Sequence, residues 1–166
     1  MSVQVYIPAT LTMVQQLVAD NSLHPVNGTA FAVTPKLCES YAHGDQEELA
    51  EVAIGEAALA SLRLLAGEQD TPLPRRAVLV AEVDDAKYRP DLDDAVVRIS
   101  GPVAIDQVIA AFVDNTAAEA AVVAAISVID AADLGDEDAE LIVGDAQDHE
   151  LAWYATQELP FLLELM

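Results

Sequence analysis

Arg76-Ala77-Val78-Leu79-Val80-Ala81-Glu82-Val83 opens the stretch that decides the fold, and Val108-Ile109-Ala110-Ala111-Phe112-Val113-Asp114 closes it. Between them lies Ala95-Val96-Val97-Arg98-Ile99-Ser100. Each run is short and rich in β-branched residues, and Asp, Pro or Gly bounds it, as expected of strands. We read strands over Ala77–Val83, Ala95–Ser100 and Val108–Val113. The link from Asp84 to Asp94, with Lys87, Tyr88, Arg89 and Pro90, is too polar for a strand and long for a hairpin turn.

Working outward, Val3, Val5 and Ile7 alternate with Gln4 and Tyr6, which predicts another strand, ended by Pro8. Thr10 is placed to cap a helix through Leu11, Val14, Leu17 and Val18. His24-Pro25 and Asn27-Gly28 mark a loop from Asn21 to Gly28. Ala30–Val33 reads as a short strand. Thr34-Pro35 then starts a helix that should run to His43 and stop at Gly44. Asp45 and Glu48 form a capping-box pattern for a long helix to Ala66, ended by Gly67. A loop should span Asp70 to Pro74.

On the C-terminal side, Thr116 and Glu119 repeat the capping-box pattern before Ala117–Ile129, which is nearly all Ala, Val and Ile. A helix apolar all round is buried, and packing on the sheet is favoured over packing on a second subunit. A helix from Glu137 should stop at Gly144. The next should run from Ala146 to Leu159, capped by Asp145 and broken by Pro160, with an apolar tail docked behind it. The expected fold is one α+β domain: a mixed, mostly antiparallel sheet of about five strands with helices packed on it.

With 166 residues, 53% of them apolar, the chain can bury a real core. No apolar run approaches the roughly 20 residues that span a bilayer, and Met1-Ser2-Val3-Gln4 lacks a basic leader, so a cytoplasmic protein is expected. Cys38 is the single cysteine; with Glu39 beside it, it reads as a small structural residue.

The net charge is −22. That surplus disfavours nucleic acid and anionic membrane, because phosphate affinity needs clustered Lys and Arg. It would steer in a basic protein partner at long range, or it serves solubility or adaptation to salt with no partner at all. The seven basic residues end at Arg98, whereas acids continue to Glu164, so the C-terminal third is the most negative part.

Motifs for chemistry are absent. There is no phosphate loop, no dinucleotide fingerprint and no nucleophile elbow. The acids from Asp133 to Glu140 miss the spacing of a calcium loop. His24, His43 and His149 have no His or Cys partner at metal-ligand spacing. No cofactor and no metal is expected. His149, Trp153 and Tyr154, placed on one acidic helix, are the candidate contacts for a basic partner; the plainer reading is that Trp153 and Tyr154 anchor that helix on the core.

The strings Val5-Tyr6-Ile7-Pro8-Ala9-Thr10-Leu11, Thr29-Ala30-Phe31-Ala32-Val33-Thr34-Pro35, Val96-Val97-Arg98-Ile99-Ser100-Gly101-Pro102 and Asp145-Ala146-Gln147-Asp148-His149-Glu150-Leu151 resemble an uncharacterised family of small acidic actinobacterial proteins. The resemblance covers nearly the whole chain and implies no activity. The order of elements is also similar to small ADP-ribosyltransferase-like proteins. Their first strand often ends in His-Gly-Thr, where this chain has Ile7-Pro8-Ala9-Thr10 and no His. Thr34 would carry their second motif, with Tyr41 following. Their late-strand Glu would fall near Asp94–Val96, where only Asp94 is acidic. That resemblance implies a ligand cleft near Tyr6, Thr34, Tyr41 and Arg98.

The function expected from the sequence is therefore a non-enzymatic binding or regulatory protein whose acidic C-terminal surface meets a basic protein. A diverged transferase or nucleotide-binding domain is the alternative, and a homo-oligomer is compatible with either.

Overall fold

The computed structural model describes residues 2–41, 44–68 and 73–165. In chain order the main elements are β1 (Val3–Ala9), α1 (Leu11–Asp20), β2 (Ser22–Leu23), β3 (Thr29–Phe31), α2 (Pro35–Ser40) and α3 (Gln46–Gly67). Then come β4 (Ala77–Val83), β5 (Lys87–Tyr88), β6 (Val96–Arg98), β7 (Val103–Ala104) and β8 (Val108–Val113). The chain finishes with α4 (Glu119–Ile126), α5 (Ile129–Asp133), α6 (Glu137–Gln147), β9 (Ala152–Ala155) and α7 (Leu159–Glu164).

The class is α+β, as read, but the main sheet has seven strands rather than about five, in the order β5-β6-β3-β1-β4-β8-β9. β2 and β7 form a separate two-stranded ribbon. Every strand pairing is antiparallel. The two additional strands of the main sheet are its edges. β5 lies inside the link taken as too polar for a strand. As an edge it needs only one bonded side, so Lys87 and Tyr88 can stand in solvent.

β9 is the larger correction. The expected helix from Ala146 to Leu159 does not exist. α6 runs through Gly144 to Gln147, and Ala152–Ala155 then pairs with β8, Trp153 opposite Phe112. Pro160 lies in the first turn of α7 and starts that helix instead of breaking one.

Helices cover both faces of the sheet. On one face, Leu11, Val14 and Leu17 of α1 and Leu159 and Leu162 of α7 pack on Val5, Ile7, Leu79, Ala81, Ala111 and Val113. On the other lies the first half of α3, whose Leu49, Ala53 and Ala57 meet Tyr6, Phe31, Val78, Val80, Val96 and Ala110. The alanines let a helix of 22 residues, about 33 Å long, lie close to the strands. Ser61 fixes its far half. Its buried hydroxyl donates to the Ala9 carbonyl at 2.6 Å and accepts from the Ala77 amide at 3.0 Å. Ala9 and Ala77 are cross-strand partners, so one hydroxyl joins α3 to two strands at once.

The Ala-Val-Ile segment after β8 differs from expectation. It is not one helix and does not lie on the sheet. A 3-10 turn at Thr116–Ala118 leads into α4, and α5 follows. Ala118, Val122, Ala125 and Ile129 pack on Leu62 and Leu65 of α3 and on Val143 and Ala146 of α6. Nor does Thr116 close a capping box: its hydroxyl accepts from Arg75 Nη2 at 3.1 Å.

Asp145, read as a cap, lies inside α6 instead, but three other caps form as read. Thr10, Thr34 and Asp45 accept from the amides of Met13, Leu37 and Glu48. α2 ends at Ser40. Its expected end, His43, lies outside the described residues, as does most of the loop expected over residues 70–74. Cys38, read as structural, is exposed on α2 and takes no part in the core. Among the described residues no helix is long and apolar enough to cross a membrane.

Asn27 and Gly28 both have positive φ, at 58° and 69°. A Cβ on Gly28 would fall 2.5 Å from the Ile99 carbonyl oxygen, on backbone already held by the Ile99 amide bonding to the Gly28 carbonyl. Gly144, by contrast, sits inside α6 with open space around its absent Cβ. Gly28→Ala should therefore destabilise by about 1–3 kcal/mol, whereas Gly144→Ala should stabilise by about 0.5–1 kcal/mol. Urea denaturation of the two variants measures both; a destabilised Gly144→Ala would contradict a continuous α6.

Candidate functional site

Antiparallel pairing sets Ala77 of β4 opposite Val113 of β8, so the residues just outside the strands, Arg76 and Asp114, lie side by side. Both are buried, at 1% and 0% exposure. Arg76 Nε and Nη2 donate to the two Asp114 carboxylate oxygens at 2.8 Å each, and Asp114 also accepts the Arg76 backbone amide at 2.8 Å. This is the two-pronged geometry that suits a guanidinium to a carboxylate.

The same guanidinium reaches the end of α6. Nη1 donates to Gln147 Oε1 at 2.9 Å, and Nη2 donates to the His149 carbonyl at 2.9 Å. Gln147 Nε2 in turn donates to the Gly55 carbonyl of α3 at 3.1 Å. One buried cation thus joins β4, β8, α3, α6 and the entry to β9. Two of its bonds are to Gln147, the last residue of α6, and to His149, where the chain has left the helix, so the helix stops where Arg76 holds it.

The turn at His149–Leu151 and the strand behind it form one wall of a groove, and α3 forms the other. One end is a cavity of about 450 Å³ lined by Glu51, Arg76, Gln147, His149, Glu150 and Leu151, among others. The other end, about 310 Å³, is lined by Gln4, Tyr6, Val80, Ile109, Ala110 and Trp153. Ile54 and Phe112 line both, so the two ends adjoin. The β4–β8 register slips between Val80 and Ala81, leaving Ile109 as an extra residue that is largely exposed in the apolar end. The groove is therefore apolar along its floor, with Glu51 and Glu150 at its polar end.

Over residues 3–163 the sequence matches a family of unknown function, DUF6912. The chain belongs to the DUF6912 family. None of the curated proteins and none of the solved structures matches it. The matched span contains the Arg76–Asp114 pair and every residue of the groove, so this architecture lies inside the DUF6912 region.

Of the expected partner contacts, His149 and Trp153 line this groove, at opposite ends, and do not share a helix. Trp153 is 58% exposed on β9, facing the α3 side. Tyr154 points through the sheet the other way and packs beside α1 and α7. The expected ligand residues are dispersed. Tyr6 lies on the central strand, its hydroxyl accepting from Gln4 Nε2 at 3.0 Å. Thr34 is buried as the cap of α2, with its hydroxyl donating to the Asp94 carbonyl. It borders a separate cavity of about 220 Å³ with Tyr88 and Pro90. Tyr41 is exposed beyond α2, and Arg98 donates through Nη1 to the Asn27 carbonyl at the ribbon end. Among the described cavities none is lined by two of these four.

Sequence reasoning passed over Arg76, Asp114, Gln147 and Phe112. The signal for the ion pair was present: two opposite charges flush with the ends of neighbouring antiparallel strands. Nothing local marked Gln147.

Acid surplus affects α3 as well. Burial raises the Glu56 carboxyl above its ordinary range, Asp93 adds to the rise, and Arg63 opposes it. Arg63 itself is engaged by Asp133 at 3.0 Å, which holds that carboxyl below its ordinary range.

Two outcomes follow. Asp114→Asn leaves the buried guanidinium without a counter-charge and turns an amide donor toward it. It should cost about 3–5 kcal/mol in urea denaturation, and Arg76→Met added to it should cost less than the sum of the two single changes. Additive costs would show that the two residues act independently. Glu56 has a raised folded-state pKa, so its charged form opposes folding at neutral pH. That penalty fades as pH falls through the raised value and is gone below the ordinary carboxylate range. Glu56→Gln should thus raise stability at neutral pH, with the gain vanishing in acid; an equal gain at both would contradict this.

Proposed function

We propose that this DUF6912 protein is a non-enzymatic binding protein that receives a basic protein partner along the groove between α3 and β9. The observation that carries the reading is Trp153: a large aromatic, mostly exposed, at the rim of an apolar groove whose one lining cation, Arg76, is buried. Exposed aromatics beside an apolar floor are what protein interfaces use as anchors.

Charge supplies the partner's chemistry. No Lys or Arg follows Arg98 in the sequence. The cations nearest the C-terminal elements are already engaged: Arg76 by Asp114, Arg75 by Glu119 and Arg63 by Asp133. Glu51, Asp148, Glu150 and Glu158 stand exposed on the groove walls and around β9. A partner with Lys or Arg on its contact surface is steered in, and an acidic one is turned away.

Trp153 is the only tryptophan in the chain, so its fluorescence reports on this groove alone. The chain immobilised in native lysate at low salt should retain a basic protein that high salt releases. The purified partner should shift Trp153 emission to the blue, and Trp153→Ala should weaken capture by about tenfold or more. An empty capture at low salt, an acidic partner, or a basic one bound equally by Trp153→Ala would overturn the reading.

A further inference from the structure

The seven-stranded sheet has two edges, and they are protected differently. β5 is two residues long, carries Lys87, and is followed by the Arg89–Asp91 ion pair and Pro90. Shortness, a lysine and a nearby proline are the ordinary devices that stop an edge from pairing with another chain. β9, itself only four residues long, has neither the lysine nor the nearby proline. Its four residues, Ala152-Trp153-Tyr154-Ala155, are uncharged and free of proline. Among the described residues no strand pairs with its outer side. In an antiparallel ladder every second residue of such a strand turns its N–H and C=O away from its neighbour. β9 therefore turns alternate backbone donors and acceptors outward beside the groove, those of Trp153 among them, while the Ala155 amide is already held by Glu158 Oε1 at 3.3 Å.

We propose that the outer edge of β9 takes an extended basic segment of the partner as an additional strand, its alternate side chains falling beside Trp153 into the groove along α3. This deepens the function proposed above and rests on it. Main-chain bonds to β9 would give affinity and the alternate side chains selectivity, as in strand addition generally. The charges choose the occupant. Asp148 and Glu150 precede β9 and Glu158 follows it, all exposed, so Lys or Arg at either end of the added segment meets a carboxylate. A second copy of this chain is the competing occupant. Pairing β9 with itself about a twofold axis would set Asp148, Glu150 and Glu158 against their own counterparts in two chains of charge −22 each. Like charges across an interface cost several kcal/mol, so the edge is built for the basic segment.

The test uses the whole protein and short synthetic peptides. One probe alternates Val and Lys; a second has the same composition rearranged to helical spacing; a third alternates Val and Glu. The alternating Val-Lys peptide should shift Trp153 emission and slow amide exchange within Ala152–Ala155. N-methylating its backbone on one edge should weaken binding by about three- to tenfold per lost hydrogen bond, whereas N-methylating the other edge should not. Equal binding by the helically spaced peptide, with no effect of N-methylation, would overturn strand addition and leave the basic-partner reading standing. Equal binding by the Val-Glu peptide, or no binding by either lysine peptide, would overturn both. Protection of Ala152–Ala155 that rises with protein concentration alone would assign the edge to a second copy and overturn the proposal.

Discussion

A buried guanidinium is the constraint on which the rest of this molecule turns. Arg76 could not lie at 1% exposure as a bare cation, because its desolvation would exceed any packing gain. Asp114 makes it tolerable, and the remaining donors must find acceptors in the protein. They find them at Gln147 and at the His149 carbonyl. Those two bonds fix where α6 ends and the angle at which the chain enters β9. The edge strand, the position of Trp153 and the polar end of the groove are consequences of satisfying one arginine.

The long helix is the second constraint, and its composition explains its reach. Its sheet-facing residues are mainly alanines, with Ser61 bonded to both Ala9 and Ala77, so it lies close to β1 and β4. Its far half carries Leu62 and Leu65, large enough to hold α4, α5 and α6 away from the sheet. The Ala-Val-Ile segment did not need the sheet to become buried; two neighbouring helices, α3 and α6, were enough. Because those helices gather at the far end of α3, the flank of its first half beside β8 and β9 stays uncovered, and the groove lies there.

What was legible in the sequence follows from the range of the interactions responsible. β4 and β8 were readable to the residue, because an apolar β-branched run bounded by charges is a local signal. Thr10, Thr34 and Asp45 were readable as caps for the same reason: each bonds three residues along. β9 was not. Leu151, Tyr154 and Ala155 fit helical spacing, and the residues that decide otherwise are Arg76 and Phe112, tens of positions away. β5 was missed because an edge strand needs only one bonded side and may be as polar as a loop. The site suffered most from this. Trp153 and His149 could be picked out as an exposed aromatic and a neighbouring histidine, but the surface joining them required the pairing of β8 with β9.

The two sheet edges separate stability from recognition. An edge that served only to end the sheet would be expected to carry the protection found at β5, since a charge or a proline there costs the fold little. β9 lacks it although the chain is dense with carboxylates, which stand at both ends of the strand and not within it. Uncharged residues on the strand preserve backbone access, and flanking acids repel another copy of the same chain. Under the proposed reading, together they would close the edge to its own kind and leave it open to a positively charged segment. On that reading, the same combination would let a protein of charge −22 carry an exposed tryptophan on an open strand, with its own acids opposing self-pairing.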